Sequence, residues 1–230
     1  MKIVVLTGAG VSAESGIRTF RDSGGLWEGH DVMEVASPEG WNKNPELVMD
    51  FYNQRRKQAL DAQPNAGHHE LAQLERDYEV LIITQNVDNL HEKAGSSNVM
   101  HLHGELFKCR SSVDESLVYD MDGWELKMGD TCEKGSQLRP HIVWFGEMVP
   151  MIEPAAAESM TADIFMVIGT SLQVYPAAGL IDYARPDIPK FLIDPNAPSL
   201  SGYQNLKIYQ EPATTGVKEA VNFIRENYPA

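Results

Sequence analysis

The stretch that decides the fold is Lys2-Ile3-Val4-Val5-Leu6-Thr7, which runs directly into Gly8-Ala9-Gly10-Val11-Ser12-Ala13-Glu14-Ser15-Gly16. A short apolar run of this kind, without polar alternation, suits a strand buried on both faces of a parallel sheet. A glycine-rich turn between strand and helix lets backbone N–H groups approach a pyrophosphate, and the helix N-terminus adds a favourable dipole. The third glycine is misplaced for the usual dinucleotide fingerprint. The turn alone therefore leaves a structural loop and a cofactor cradle equally open.

Outward from this point the same pattern returns. Glu79–Thr84, Ile164–Ile168, Lys190–Ile193 and Leu206–Tyr209 are short apolar runs bounded by Gly, Pro, Asn or Asp. Helical stretches lie between them. The clearest is the last, where Val217, Ala220, Val221 and Ile224 recur at helical spacing behind Thr214 and Thr215 as caps. Strands alternating with helices predict an α/β fold, a Rossmann-like doubly wound parallel sheet with ligands at the carboxyl ends of its strands. Two regions break the rhythm. Residues 31–63 hold one long helix opened by Asn44-Pro45, a cap followed by Pro at the first helical position. Residues 107–138 are polar and weakly periodic, with a cysteine near each end. The expected organisation is a Rossmann-like domain of residues 1–30, 64–106 and 139–230, with a smaller lobe made by the two insertions 31–63 and 107–138.

The chain has 230 residues, 43% hydrophobic and 23% charged, a composition that supports a folded core. Its 33 acidic against 19 basic residues give a formal charge of -14. That balance argues against a nucleic-acid binder, which needs a basic surface to neutralise phosphates, and is compatible with basic protein segments as partners. No stretch approaches the roughly 18 apolar residues of a membrane span. Ile3–Leu6 is also too short for a signal-peptide core. Cys109 and Cys132 are too few for a disulfide scaffold, so the expectation is a cytoplasmic protein with reduced thiols.

The continuation of the first loop is more specific. Gly16-Ile17-Arg18-Thr19-Phe20-Arg21-Asp22 and Gly25-Leu26-Trp27 closely resemble the cofactor-binding loop of the sirtuin family. So do Thr84-Gln85-Asn86-Val87-Asp88-Asn89-Leu90-His91, Leu102-His103-Gly104-Glu105, and Arg139-Pro140-His141-Ile142-Val143-Trp144-Phe145-Gly146-Glu147. Gly169-Thr170-Ser171 and Asp194-Pro195-Asn196 fit as well, and the blocks keep the family's order across nearly the whole chain.

The resemblance implies NAD as cofactor, contacted by Gly8, Ala9, Gly10, Glu14, Phe20, Arg21 and Trp27. Gln85, Asn86 and Asp88 follow a strand, where amide and carboxyl groups can bind ribose hydroxyls and a carboxamide; Asn86 and Asp88 suit helix capping equally well. Gly169, Thr170 and Ser171 offer a second backbone nest, Asn196 resembles the residue that holds the adenosine ribose, and Ala213 is a further cofactor contact. His101 and His103 alternate in what reads as a strand, so both point to one face. A metal pair would need a third ligand, and none has suitable spacing. The family's catalytic histidine immediately precedes a glycine, and only His103 does so; His30, His68, His69, His91 and His141 read as structural. The implied reaction is deacylation of lysine side chains, with nicotinamide and acyl-ADP-ribose released and His103 taking a proton from the ribose hydroxyls.

Tyr52 and Arg55 stand three apart in the long helix and share a face. A phenol with a guanidinium fork suits a carboxylate, and the pair resembles the Tyr-x-x-Arg signature of sirtuins that remove succinyl and malonyl groups. Spacing alone favours Arg55 as one of several surface cations, with Arg56 and Lys57 beside it, and Tyr52 as a side chain packed against the lobe; the resemblance favours the anchor. Val143, Phe145 and Gly146 resemble the segment that holds the acyl-lysine substrate. Most relatives also hold a structural zinc between two Cys-x-x-Cys pairs. Here the pairs read Cys109-Arg110-Ser111-Ser112 and Cys132-Glu133-Lys134-Gly135. Two thiolates cannot close a tetrahedral site, so the second insertion is a degenerate zinc-ribbon-like module and zinc is expected to be absent. Packing through Leu117, Val118, Tyr119, Trp124 and Leu126 would have to hold it. Two other functions fit the same blocks: an NAD-dependent mono-ADP-ribosyltransferase, and a non-catalytic NAD or ADP-ribose sensor.

Overall fold

The computed structural model describes residues 1–18, the backbone of 26–27, and residues 29–198, 200 and 202–230. In chain order the elements are β1 (Lys2–Thr7), β2 (Leu26–Trp27), β3 (His30–Asp31), α1 (Val32–Val35), α2 (Pro38–Lys43), α3 (Pro45–Asp61), α4 (Ala66–Leu74), β4 (Glu79–Thr84), α5 (Leu90–Ala94), β5 (Val99–His101), β6 (Gly104–Ser111), β7 (Val118–Asp120), β8 (Leu138–Ile142), α6 (Ile152–Met160), β9 (Ile164–Ile168), α7 (Leu180–Tyr183), β10 (Lys190–Ile193), β11 (Leu206–Tyr209) and α8 (Ala213–Asn227). Among the described residues no helix is long and apolar enough to cross a membrane.

Six strands form one parallel sheet in the order β11-β10-β9-β1-β4-β5. Taken in chain order, these strands run 6-5-4-1-2-3, the doubly wound arrangement in which strand order reverses between β1 and β9. Both faces of the sheet are covered, which explains the unbroken apolar runs. Ile3 and Val5 of β1 turn toward Leu71 and Leu74 of α4 and Val217, Val221 and Ile224 of α8. Val4 and Leu6 face Ala155 of α6 and Leu180 and Ile181 of α7. Each such fully buried aliphatic side chain contributes about 1.5–3 kcal/mol of burial free energy, which is why the sheet is the most firmly specified part of the fold.

α8 differs from the sequence expectation at its start. Its first turn includes Thr214 and Thr215, and the residue at the cap position is Pro212, which gives no side-chain cap. Thr214 instead donates to Glu14 through its backbone N–H (3.2 Å) and its hydroxyl (2.9 Å), tying α8 to the glycine loop.

α3 opens as its sequence predicts: Asn44 accepts from Leu47 N–H (3.1 Å) and Pro45 fills the first turn. Two shorter helices, α1 and α2, precede it. Against this helical group packs an antiparallel sheet ordered β7-β6-β8. Val48, Phe51, Tyr52 and Ala59 of α3 share a core with Leu106, Ile142 and Trp144.

The apolar packing expected of the segment 117–126 holds in part: Leu126 is buried against Met49 and Cys109 with Tyr119 beside them, but Val118 is 39% exposed. Polar bonds fasten it as well. Arg56 is fully buried and donates from Nε to Trp124 O (2.6 Å), from Nη1 to Leu106 O (3.2 Å) and from Nη2 to Asn53 Oδ1 (2.5 Å). Asn53 in turn bonds both the N–H and the C=O of Leu126, each at 2.9 Å. Arg56 is therefore no surface cation but a strap between α3 and the degenerate module.

Candidate active site

The carboxyl ends of β1 and β9 meet backbone to backbone. Gly8 N–H donates to Ile168 O (3.0 Å), and Gly10 N–H to Gly169 O (2.8 Å). A methyl on Gly10 would stand 2.6 Å from Gly169 Cα, and Gly169 holds φ +63°, so the contact requires glycine on both sides. As β4 ends, Gln85 N–H donates to Thr7 O (2.9 Å) and Gln85 Nε2 to Thr170 Oγ1 (3.3 Å). Three strand ends thus share one floor.

A buried polar relay lies beside it. Asn65 N–H donates to His68 Nδ1 (3.3 Å), so the proton of neutral His68 sits on Nε2, which faces Ser12 Oγ at 3.4 Å. Ser12 also accepts from Asn86 Nδ2 (3.2 Å) and donates to Asp88 Oδ2 (3.2 Å). Asp88 Oδ1 accepts from Leu90 N–H (3.1 Å) at the start of α5, so Asp88 both helps cap a helix and lines the site. Burial raises the Asp88 pKa above the ordinary carboxylate value, against the opposing bonds from Leu90 and Ser12. Burial, aided by neighbouring His69, pushes His68 down to about 4.

The two alternating histidines separate. β5 ends at His101, and His103 lies just beyond it in the bend before β6. His101 reaches Asn86 O through Nδ1 (3.0 Å) and Glu92 Oε1 through Nε2 (2.7 Å). Burial opposes its charge, but the Glu92 bond and charge carry its pKa above the ordinary value, so both nitrogens donate. His103 Nδ1 lies 3.1 Å from Gln85 O. A carbonyl only accepts, so Nδ1 carries the proton and Nε2 is left as a base. Burial holds His103 below the ordinary histidine pKa, with the Gln85 bond opposing, and keeps it neutral near pH 7.

The third group comes from the small lobe. Tyr52 and Arg55 are 0% and 7% exposed. Trp144 Nε1 donates to Tyr52 Oη (3.1 Å), and burial raises the Tyr52 pKa, keeping it protonated. Val143 N–H donates to His103 O (2.9 Å) and Phe145 N–H to Ala36 O (2.9 Å), which stretches residues 143–145 between the two lobes. A single cavity of about 540 Å³ is lined by the glycine loop, the Gln85–Asp88 turn, His103, Tyr52, Arg55 and the 143–147 segment.

Residues 8–176 match the Sir2 family. The chain belongs to the Sir2 family. A Helicobacter pylori protein named NAD-dependent protein deacylase is 54% identical over 219 residues, covering 94% of each chain. A solved Sir2 homologue in complex with NAD superimposes with a TM-score of 0.87 at 40% identity, over 98% of this chain and 90% of that one. A point variant of a Sir2 homologue bound to ADP ribose gives 0.88 at 39% identity, over 98% and 92%.

In this sirtuin the cavity brings together Gly8, Ala9, Gly10, Glu14, Gln85, Asn86, Asp88, Gly169, Thr170, Ser171 and Asn196. The same cavity is lined by His103, Tyr52, Arg55, Val143, Phe145 and Gly146. Ala213 is buried at the start of α8 and is not among the lining residues. Phe20, Arg21 and the Trp27 side chain lie outside the described residues. Ser12, Trp144 and Glu147 also line the cavity and were not picked out from sequence. Ser12 sits inside the quoted glycine loop, and that position was the available signal.

The cysteine module does not present a tetrahedral zinc set. Cys132 Sγ lies 3.0 Å from Ser136 Oγ, which lies 2.7 Å from Ser111 Oγ, which accepts from Val113 and Asp114 N–H. The nearby carboxylates are engaged elsewhere: Asp114 with Lys134 Nζ (2.6 Å) and Asp130 with Lys127 N–H (2.7 Å). Among the described residues no three His, Cys, Asp or Glu side chains gather around one point.

Proposed function

We propose that this sirtuin is an NAD-dependent protein-lysine deacylase that removes succinyl and malonyl groups, with acetyl as a lesser substrate. One observation carries the reading: a single cavity is lined by the glycine loops, by a neutral histidine with a basic nitrogen, and by a buried tyrosine–arginine pair. Its volume of about 540 Å³ suits a cofactor-sized ligand.

NAD fits the donor set. Gly8, Ala9, Gly10, Thr170 and Ser171 would cradle the pyrophosphate, Asn196 the adenosine ribose, and Ser12, Asn86 and Asp88 the carboxamide. Phe20, Arg21 and Trp27 complete the loop by family resemblance. When bound, NAD supplies an electrophilic ribose carbon and the ribose hydroxyls. His103 Nε2 takes a hydroxyl proton while Nδ1 stays anchored on Gln85 O, which fixes both tautomer and ring orientation. Val143, Phe145 and Gly146 flank the acyl-lysine, and Tyr52 with Arg55 receives a terminal carboxylate. In this reading residues 1–30, 64–106 and 139–230 bind NAD, and residues 31–63 and 107–138 form the lobe that carries the acyl anchor. The Arg56 strap and the Cys132–Ser136–Ser111 chain do the fastening that zinc does in other sirtuins. The partners are acylated lysines of proteins, and neither nucleic acid nor membrane is involved.

The test is a panel of one lysine peptide carrying succinyl, malonyl, acetyl or longer neutral acyl groups, incubated with NAD and read by mass spectrometry. Succinyl and malonyl peptides should be cleared fastest, with one nicotinamide released per deacylation. Preference for acetyl or for long neutral chains would overturn the acidic-acyl reading, and ADP-ribosylated protein without deacylation would overturn the deacylase reading.

A further inference from the structure

Tyr52 is completely buried, and the one hydrogen bond of its hydroxyl among the described residues is with Trp144 Nε1 at 3.1 Å. The indole nitrogen can only donate, so it occupies an acceptor direction of the phenolic oxygen. A phenol O–H lies close to the ring plane and has two orientations there. With one side taken by the indole N–H, the hydroxyl proton is turned to the other.

We propose that Trp144 is a specificity-positioning residue, which aims the Tyr52 hydroxyl proton at the carboxylate of an acidic acyl group. This rests on the acidic-acyl reading above. Trp144 is itself held on three sides. Its backbone N–H donates to Glu147 Oε2 (2.8 Å), and Arg139 stacks over its ring with the guanidinium carbon 3.3 Å from the centroid. Arg139 also bonds Glu147 Oε1 (2.7 Å) and Ile142 O (2.9 Å), so the stack is fixed in turn. Trp41 packs against the indole with ring centroids 5.7 Å apart. The clamp has a second effect. Arg139 and Arg110 both pair with Glu147, so the one acid of this segment is neutralised and does not repel an acidic substrate. Burial also keeps Tyr52 protonated, hence a donor at any working pH.

The experiment compares kcat/KM for succinyl-lysine and acetyl-lysine forms of one peptide, with NAD saturating, in the wild type, W144F, Y52F and the double variant. An oriented hydrogen bond to a charged acceptor sets the scale, so the succinyl-to-acetyl ratio should fall about tenfold in W144F. The fall should lie in KM for the succinyl peptide with kcat little changed. In the Y52F background nothing is left to orient, and the second substitution should change the ratio less than about twofold. Independent packing would instead make the two losses multiply, which would overturn the proposal, as would a W144F ratio within about twofold of wild type. Should W144F lose its cooperative thermal transition, 3-benzothienylalanine at position 144 keeps the bicyclic shape without the N–H and should give the same tenfold fall. A wild type that clears only acetyl peptide would overturn the acidic-acyl reading and this inference with it. A succinyl-selective wild type with Y52F non-selective and W144F unaltered would overturn this inference alone.

Discussion

Arg55→Met isolates the charge at the acyl anchor. Methionine keeps an apolar stem against the Phe51 ring, whose centroid lies 5.9 Å from the Arg55 guanidinium carbon, while the donors are lost. Arg55 is 7% exposed, beside a tyrosine that is wholly buried, so a carboxylate meeting it is largely shielded from water. A charge-assisted hydrogen bond contributes about 1.5–3 kcal/mol, which converts to roughly 10–150-fold in kcat/KM for succinyl and malonyl peptides. Acetyl has no carboxylate to lose. Among the described residues the Arg55 charge also acts on Asp88, whose pKa is governed first by burial, with Arg55 last among the influences holding it down. The acetyl loss should therefore stay within about threefold. The assay is the initial rate of nicotinamide release at saturating NAD, with each acyl peptide titrated. Arg55→Lys should recover part of the loss, because an ammonium supplies charge without the two-pronged fork. Equal losses for succinyl and acetyl would refute the carboxylate-anchor role.

His68 makes stability depend on pH. Its folded pKa is about 4 against an ordinary 6.5, so the unfolded chain binds a proton first as pH falls. The His68 contribution is complete above pH 6.5 and is lost progressively toward pH 4, a drop of roughly 3 kcal/mol. Thermal midpoints should fall more steeply over that window in wild type than in His68→Gln, and parallel curves would show that His68 is not the titrating group. Arg56→Met leaves Trp124 O and Leu106 O without their donor, partly offset by relief of the buried charge. A net loss of roughly 3 kcal/mol, or roughly 10 °C in Tm, is expected by calorimetry, and a loss within about 1 °C would remove the strap from the account of the small lobe. Elemental analysis should find well under one zinc per chain, with a chelator leaving Tm unchanged. A stoichiometric metal whose removal lowers Tm would restore the metal-held lobe.

The sheet was legible because its inner strands are buried on both faces, and β1, β4, β9, β10 and the more exposed β11 begin and end where the short runs do. β5 was read only through the alternation of His101 and His103; it has three residues, Val99–His101, all half-buried, and ends before His103. The junction of β1 and β9 was legible from the glycine loops, since close backbone approach at Gly10 and Gly169 leaves a residue-type signature. Arg56 was not legible. Two of its three acceptors are carbonyls 50 and 68 residues away, and only the folded chain brings them to α3. The same holds for Trp144, whose N–H partner Tyr52 lies 92 residues away. The histidines show both sides: the glycine after His103 singled it out, but the opposite protonation of His101 and His103 depends on Glu92 and Gln85, which sequence spacing does not place.

The most direct measurement of the central claim is NAD-dependent turnover in His103→Ala. His103 sits on the cavity wall with Nε2 as its basic nitrogen, and its replacement leaves the glycine loops, Asn86 and Asp88 in place. The variant should bind NAD with wild-type affinity by calorimetry while yielding no deacylated peptide by mass spectrometry. Turnover close to wild type, with NAD still bound, would contradict His103 as the general base and the deacylation chemistry built on it.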